Sequence, residues 1–180
     1  MGKGGDFERD VSKELTSWLT GKPKPYKYWR MPGSGGLATI HEENVDLSGD
    51  IRALAPDAEF LTDYFSIECK NGYPKTSFWQ HFKNIKNFNI RDFWIQCMDD
   101  AKKGDKAGML IYRKKGQKHI VGIEEEVSWT LSCINEKLCE LPSIVMTWEC
   151  DYLPSVEFFS FENFFNIITP ENIKELAEIK

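Results

Sequence analysis

The residues best suited to chemistry lie in one short segment, from Phe65 to Lys70, where apolar and polar side chains alternate. Alternate side chains of a β-strand point to opposite faces, so Ser66, Glu68 and Lys70 share one face above an apolar underside. An acid and an ammonium group held side by side suit a site for a metal cation and a phosphate. The segment therefore predicts a strand that presents both groups to a ligand.

A second acid, Asp50, stands at the start of an upstream segment that alternates as far as Leu54. If the two strands form a hairpin, Asp50 reaches the same place as Glu68. Two carboxylates bind Mg²⁺, a hard ion that takes oxygen ligands, and this ion activates water and polarises a phosphate. Lys70 would orient or help to deprotonate the attacking water and would stabilise negative charge on the phosphorane.

An acid two residues before a lysine is not specific by itself, because the chain has three such triplets. They begin at Glu68, Asp100 and Glu178, and the last two lie in helical patterns, where residues i and i+2 point in different directions. Only the Glu68 triplet combines an alternating strand with an upstream acid. The alternative for the triplet alone is a solvated edge strand with an exposed ion pair.

The first element predicted to support these residues is a helix from Phe7 to Leu19, whose apolar residues recur at helical spacing. Asp6 is its predicted N-cap and Gly21 its stop signal. These boundaries place Glu8 and Arg9 in the first turn. An acid is favoured there by the helix dipole alone, so Glu8 has a structural interpretation as well as a functional one.

Further along the chain, alternating and helical patterns predict a mixed set of strands and helices. Strands are predicted at the end of 22–30 and at 50–54, 64–70, 107–113, 119–124 and 144–148, and two helices within 77–103. An aromatic segment at 158–165 precedes a short helix with Thr169 as cap and Pro170 as first residue. The order predicts an α/β fold with one mixed sheet flanked by helices. We expect a single domain over residues 1–180, with a core over about 4–125 and a C-terminal extension over 126–180.

Charge restricts the possible functions without assigning one. The chain of 180 residues has a net charge of −5, but residues 1–120 carry 20 Lys and Arg against 16 Asp and Glu, whereas residues 121–180 carry 3 against 12. A surface for phosphates is therefore expected only on the first two thirds. No segment is apolar and long enough to span a bilayer, and no signal peptide is visible, so a cytoplasmic protein (host-cell cytoplasm if viral), neither secreted nor membrane-bound, is expected.

The sequence contains no motif for several other common chemistries. The five cysteines are an odd count without a C-x-x-C pair, which predicts neither disulfides nor a zinc site. Patterns for a P-loop, a dinucleotide-binding glycine motif and a serine nucleophile elbow are absent from the sequence. These absences argue against nucleotide hydrolysis, dinucleotide-dependent redox chemistry and serine hydrolysis.

Four segments, found in this order, carry a family resemblance. They are Gly5-Asp6-Phe7-Glu8-Arg9, Arg30 before Gly33-Ser34-Gly35, Gly49-Asp50-Ile51-Arg52-Ala53, and Ile67-Glu68-Cys69-Lys70. Together with the glutamine-bearing stretch 96–102, they resemble the PD-(D/E)XK nuclease superfamily, and more narrowly the archaeal-type Holliday-junction resolvases and related phage enzymes. The resemblance covers roughly residues 4–113. It implies a restriction-endonuclease-like fold and a metal-dependent DNA endonuclease, with a role in DNA recombination or repair.

The resemblance also implies roles for single residues. Asp50 and Glu68 match the metal-binding acids, and Lys70 matches the catalytic lysine. Glu8 matches an acid of the N-terminal helix that supports the metal or its waters, and Gln96 matches a residue that positions the attacking water. The implied cofactor is Mg²⁺, for which Mn²⁺ can substitute.

Contacts with DNA are implied upstream of Asp50. Arg30 and Ser34 fall where family members contact the scissile backbone, and Arg9 is a further candidate for substrate binding. The glycine loop around Ser34 is either a phosphate cradle or a flexible connection. The basic and aromatic segment from Lys22 to Arg30 suits DNA backbone contact, or equally a solvated surface with lysine stems over tyrosines.

Two departures from the family pattern concern the first metal-binding acid. Gly49 stands where the superfamily name expects proline, a common substitution that costs little. Pro56-Asp57 offers a rival motif eleven residues before Glu68. Asp50 is preferred, because Asp57 lies in a predicted turn.

Aromatic residues are dense in one stretch of the chain. The stretch contains Phe78, Trp79, Phe82, Ile85, Phe88, Ile90, Phe93 and Trp94. Core packing is the first interpretation for most of them and a homodimer interface the second, since the resembled resolvases act as dimers on a symmetric junction.

The expected substrate is branched or duplex DNA. The alternatives are a restriction-like or replication-associated nuclease for duplex, nicked or single-stranded DNA, and a non-catalytic DNA-binding module with the nuclease fold.

Overall fold

The computed structural model describes residues 3–31, 48–78, 89–149 and 152–179, with side chains from Gly5 onward. Within these ranges the chain forms six α-helices and seven strands. The helices are α1 (Lys3–Thr20), α2 (Glu59–Tyr64), α3 (Asn89–Lys103), α4 (Glu125–Ile134), α5 (Phe161–Ile167) and α6 (Pro170–Ile179). The strands are β1 (Tyr28–Arg30), β2 (Ile51–Ala53), β3 (Phe65–Gly72), β4 (Ala107–Lys114), β5 (Ile120–Glu124), β6 (Ser143–Met146) and β7 (Val156–Ser160).

Five of the strands form one mixed sheet in the order β3-β4-β5-β7-β6. β3 and β4 are parallel and are connected through α3, whereas the remaining neighbours are antiparallel. β1 and β2 form a separate antiparallel ribbon with Trp29 opposite Arg52. The C-terminal third thus supplies two strands of the same sheet that contains β3.

Both faces of the sheet are covered by helices, which is why β3 is buried along most of its length. On one face, Phe7, Val11 and Leu15 of α1 are fully buried in a core shared with α4, α5 and α6. On the other face, α3 packs Trp94 and Cys97 against β4 and β7. The predicted α/β fold with one mixed sheet flanked by helices is confirmed. None of the helices in the described ranges is long and apolar enough to cross a membrane.

The boundary predicted for the first helix was wrong at its start. α1 begins at Lys3, so Glu8 and Arg9 lie beyond its first turn. Asp6 is not an N-cap, because its carboxylate forms an ion pair with Arg9 inside the helix. The predicted stop is confirmed: Gly21 follows the last helical residue with φ of 73° and donates its N–H to the Ser17 carbonyl at 2.7 Å.

The strands at 50–54 and 64–70 do not form the hairpin that was considered as a way to bring Asp50 to Glu68. β2 pairs with β1, and a 3-10 turn (Pro56–Ala58) and α2 separate it from β3. α2 and α4 were missed because short helices under tertiary packing have weak periodic signals. The aromatic segment at 158–165 divides into the end of β7 and the start of α5.

Downstream boundaries were close to those predicted. β5 and β6 begin at Ile120 and Ser143, and α3 is one of the two helices predicted within 77–103; residues 79–88 lie outside the described ranges. The cap of α6 is confirmed, because Thr169 Oγ1 accepts the Asn172 N–H at 3.4 Å and Asn172 Oδ1 accepts the Thr169 N–H at 3.0 Å. The described aromatic residues Phe93 and Trp94 belong to the core, which confirms core packing for these two.

Candidate metal and phosphate site

Asp50 lies against the outer edge of β3, although the two strands do not form a hairpin. Its N–H donates to the Ile67 carbonyl at 2.7 Å, and its Oδ2 accepts the N–H of Cys69 at 2.8 Å. Its own carbonyl accepts the N–H of Met31 at 2.7 Å, which joins this point to the end of β1. Three backbone contacts therefore fix the Asp50 carboxylate beside β3.

Glu68 and Lys70 lie on the face of β3 that is turned toward α3. The strand alternation predicted that they share one face. Glu68 is 3% exposed and forms an ion pair with Lys70. Lys70 Nζ also donates to Gln96 Oε1 at 2.8 Å, so α3 holds the lysine from the other side. The structure thus brings Gln96 to the same place as Glu68 and Lys70.

Glu8 reaches this region from α1. Arg30 Nη1 at the end of β1 donates to Glu8 Oε2 at 3.4 Å, and both side chains are partly buried. Burial raises the pKa of Glu8, the nearby charge of Asp50 raises it further, and Arg30 opposes both. Glu8 is therefore electrostatically coupled to Asp50.

The charges of the site are poorly balanced. Burial, followed by the nearby charge of Asp50, raises the pKa of Glu68 to about 7 against the opposing effect of Lys70. Burial alone would lower the pKa of Lys70, but the carboxylates of Glu68 and Asp50 outweigh it and raise this pKa. The lysine therefore does not fully compensate the two neighbouring carboxylates.

The residue before Asp50 has a backbone conformation that proline cannot adopt. Gly49 has a φ of 84°, whereas the proline ring fixes φ near −65°. A Cβ at Gly49 would lie 2.9 Å from both the backbone N and the backbone O of Ile67. This backbone therefore excludes proline at residue 49 and favours glycine.

The rival aspartate and the remaining predicted residues lie elsewhere. Asp57 sits in the 3-10 turn, is 60% exposed and pairs with Lys27 at 2.6 Å. Arg9 pairs with Asp6 on α1, and its charge lowers the pKa of the neighbouring Glu8. Ser34 and its glycine loop lie outside the described residues.

Sequence patterns missed the backbone groups that position the first acid. The carbonyl of Ile67 and the N–H of Cys69 were read only as parts of an apolar strand face, yet both bond to Asp50. Ser66, on the face of Glu68, has a buried Oγ without a hydrogen-bond partner among the described residues. The signal that could have found the backbone groups is the edge position of β3, which follows only from the sheet order.

The oxygen donors fit a divalent cation. Asp50 and Glu68 are buried, adjacent and both acidic, and their mutual repulsion contributes to the raised pKa of Glu68. A divalent cation would relieve that repulsion, and Mg²⁺ prefers carboxylate and water oxygens. In the described ranges no three Asp, Glu, His or Cys side chains form a metal-binding group. A bound ion would therefore have the two carboxylates as its main protein ligands.

Comparison with known families gives one match. The model of a family described as phage putative PDDEXK endonuclease matches residues 1–175. This match extends beyond residue 113, where the motif resemblance ends, and includes β6 and β7. No curated protein and no solved structure matches the chain.

Proposed function

The chain belongs to the family of phage PDDEXK endonucleases, and we propose that it is a Mg²⁺-dependent DNA endonuclease that acts on branched DNA. The restriction-endonuclease-like fold and the assignment as a nuclease follow from the family and from the mixed sheet flanked by helices. The metal, the DNA structure and the residue roles are our proposal.

One observation carries the proposal: two buried acids adjoin a lysine at the edge of β3. Asp50 is bonded to the backbone of β3, and Glu68 projects from that strand next to Lys70. An exposed ion pair, the alternative for the triplet, does not fit, because Glu68 is 3% exposed. Burying two neighbouring carboxylates is costly unless a cation compensates them.

The residues of the candidate site have separate proposed roles in phosphodiester hydrolysis. Asp50 and Glu68 would hold the ion, and Glu8 would support it or its waters. Mg²⁺ or Mn²⁺, when bound, supplies an activated water and neutralises charge on the phosphate. Lys70 would orient the attacking water and stabilise the developing negative charge, and Gln96 would keep the lysine in that position.

The narrower proposal is a Holliday-junction resolvase that works as a homodimer in the host-cell cytoplasm. A four-way junction is symmetric, so two symmetric nicks require two copies of the site. Arg30, paired with Glu8 beside the candidate metal site, is suited to contact the scissile backbone. The second candidate, a restriction-like or replication-associated nuclease, differs only in the DNA that it accepts.

Cleavage of a substrate panel tests the proposal. A four-way junction, a plain duplex, a single strand and RNA are incubated with the protein in Mg²⁺ or in EDTA. We expect symmetric nicking of the junction in Mg²⁺ and no cleavage in EDTA. Equal cutting of every DNA would favour the second candidate. Binding without cutting in Mg²⁺ and Mn²⁺ would leave a DNA-binding module.

Thermal unfolding tests the metal site without relying on activity. A ligand that binds only the folded state stabilises it by about 2.7 kcal/mol at 100 times its Kd. We expect Mg²⁺ to raise the Tm of the wild type and of Asp57→Asn, but not of Asp50→Asn. Asp57 is the matched control, because it is an aspartate paired with Lys27 in a turn. If the Tm shift is lost in Asp57→Asn and kept in Asp50→Asn, the metal-binding aspartate is Asp57 and not Asp50.

A further inference from the structure

The ribbon of β1 and β2 has one face on the core and one face turned away from it. Tyr28 and Ile51 are 0% and 3% exposed and lie in the core. Strand residues alternate, so Trp29 and Arg52, which face each other across the ribbon, lie on the opposite side. Arg52 is exposed and Trp29 is half-buried.

Aromatic and cationic groups gather on this outward side. The rings of Tyr26 and Trp29 lie 4.7 Å apart between centroids, tilted by 47°. Lys24 Nζ lies 5.6 Å from the centroid of the Tyr26 ring. Among the described residues, the side chain of Arg52 forms no hydrogen bond or ion pair. We call Lys24, Tyr26, Trp29 and Arg52 the outer ribbon face.

The outer ribbon face is held firmly and lies close to the candidate metal site. The N–H groups of Lys27 and Tyr28 both bond to Thr16 Oγ1 on α1, at 3.1 and 3.3 Å. Asp50 directly precedes β2, two residues from Arg52. Two strand residues span about 7 Å, which equals the rise of about two base-pair steps along the axis of B-form DNA.

We propose that the outer ribbon face stacks an unpaired base of the DNA within a few nucleotides of the scissile phosphate. This proposal rests on the proposed function and adds the feature of the substrate that is recognised. Aromatic rings stack every base, so Trp29 and Tyr26 would select an unpaired base without selecting its sequence. Arg52 and Lys24 would hold the adjoining phosphates. Bases inside a continuous duplex are already stacked on each other, so DNA with unpaired bases at a branch is preferred.

Paired binding measurements with a fluorescent base analogue test this proposal. A junction carries 2-aminopurine at an unpaired position near the branch, a matched duplex carries it in a pair, and quenching and Kd are measured in Ca²⁺. We expect Trp29→Ala to weaken binding of the unpaired substrate about tenfold and to remove the quenching. The loss on the duplex should be several times smaller, and Trp29→Phe should restore most of the binding.

Two further variants complete the design. Trp129→Ala is the matched control, since Trp129 is a 69% exposed tryptophan on α4, outside the outer ribbon face; it should bind both substrates as the wild type does. Tyr26→Ala replaces Trp29→Ala if circular dichroism shows that the latter is unfolded. An equal loss on both substrates, or none on either, would overturn the proposal. If no DNA is cut but quenching still depends on Trp29, the stacking stands and the proposed nuclease activity fails.

Discussion

The β3 and β7 regions of the sheet each hold a partly or wholly buried glutamate, and they compensate it differently. On β7, Glu157 accepts the Ser128 hydroxyl at 2.6 Å and the Ser143 hydroxyl at 2.5 Å, one on each carboxylate oxygen. On β3, Glu68 faces a second carboxylate, Asp50, which raises its pKa together with burial. The first carboxylate has neutral donors on both oxygens, whereas the second shares one lysine with a neighbouring acid.

This difference distinguishes a structural acid, Glu157, from the acid that we propose binds a ligand, Glu68. Hydrogen bonds from neutral donors satisfy a carboxylate without any further group. Two acids in one buried place destabilise each other, and such an arrangement persists where a bound cation or a reaction requires it. The β3 region therefore carries the proposed activity, and the β7 region carries part of the connection between α4, β6 and the sheet.

The largest contrast is expected from Asp50→Asn, which removes one charge and keeps the shape. Loss of a metal-binding carboxylate should raise the activation free energy of cleavage by about 4 kcal/mol, which lowers the rate on the order of 10³-fold. Asparagine Oδ1 can still accept the Cys69 N–H, so DNA binding should remain. Without metal, the Tm should not fall, because a like charge facing Glu68 and Glu8 is gone. Cleavage at the wild-type rate would remove Asp50 from the mechanism and make Asp57→Asn the next variant.

A second contrast concerns the backbone that places Asp50. Gly49→Ala combines a positive φ with a Cβ 2.9 Å from the Ile67 backbone, which cannot move aside cheaply. Gly21→Ala is the matched control, since its φ is 73° and nothing lies within 4 Å. We expect both variants to lose roughly 1–3 kcal/mol of unfolding free energy through backbone strain. Only Gly49→Ala should lose further stability and most of its activity, measured by thermal unfolding and cleavage.

The same geometry predicts that restoring the family dipeptide fails. Gly49→Pro recreates Pro-Asp before Ile51, yet proline cannot reach a φ of 84°. We expect this variant to be less stable and less active than Gly49→Ala. A fully active Gly49→Pro would mean that the backbone before Asp50 differs from the one described.

Local sequence patterns were sufficient to predict the secondary structure and the shared faces where the chemical groups and the periodicity occur in one segment. Alternation alone predicted that Glu68 and Lys70 share a face of β3, and helical spacing predicted α1 and α3. The pairing of β2 with β1 could not be predicted, because strand partners depend on the whole sheet. The start of α1 failed for a related reason: an ion pair with Arg9 competes with capping by Asp6.

The contacts that position Asp50 in the candidate site could not be predicted either, because they also depend on the whole sheet. The sequence placed Asp50 beside Glu68 only if their strands formed a hairpin, whereas Asp50 reaches β3 through bonds to Ile67 and Cys69 at the edge of the described sheet. Whether a strand lies at an edge follows from topology, which one sequence specifies only through the complete fold. The structural role of Glu157 was missed for the same reason, because Ser128 and Ser143 are distant in sequence.

The smallest effect is expected at the β7 glutamate. Glu157→Gln makes the same kind of change as Asp50→Asn, an acid replaced by its amide. Hydrogen bonds to a charged acceptor contribute more than neutral ones, so the free energy of unfolding should fall by about 1 kcal/mol. Cleavage and the Mg²⁺-dependent shift in Tm should match those of the wild type, because Glu157 lies on β7, which β4 and β5 separate from β3 in the sheet. Lower stability with normal cleavage in Glu157→Gln, together with lost cleavage and undiminished stability in Asp50→Asn, would support the division of roles. A loss of cleavage in Glu157→Gln would contradict it, since a satisfied acid would then also contribute to the activity.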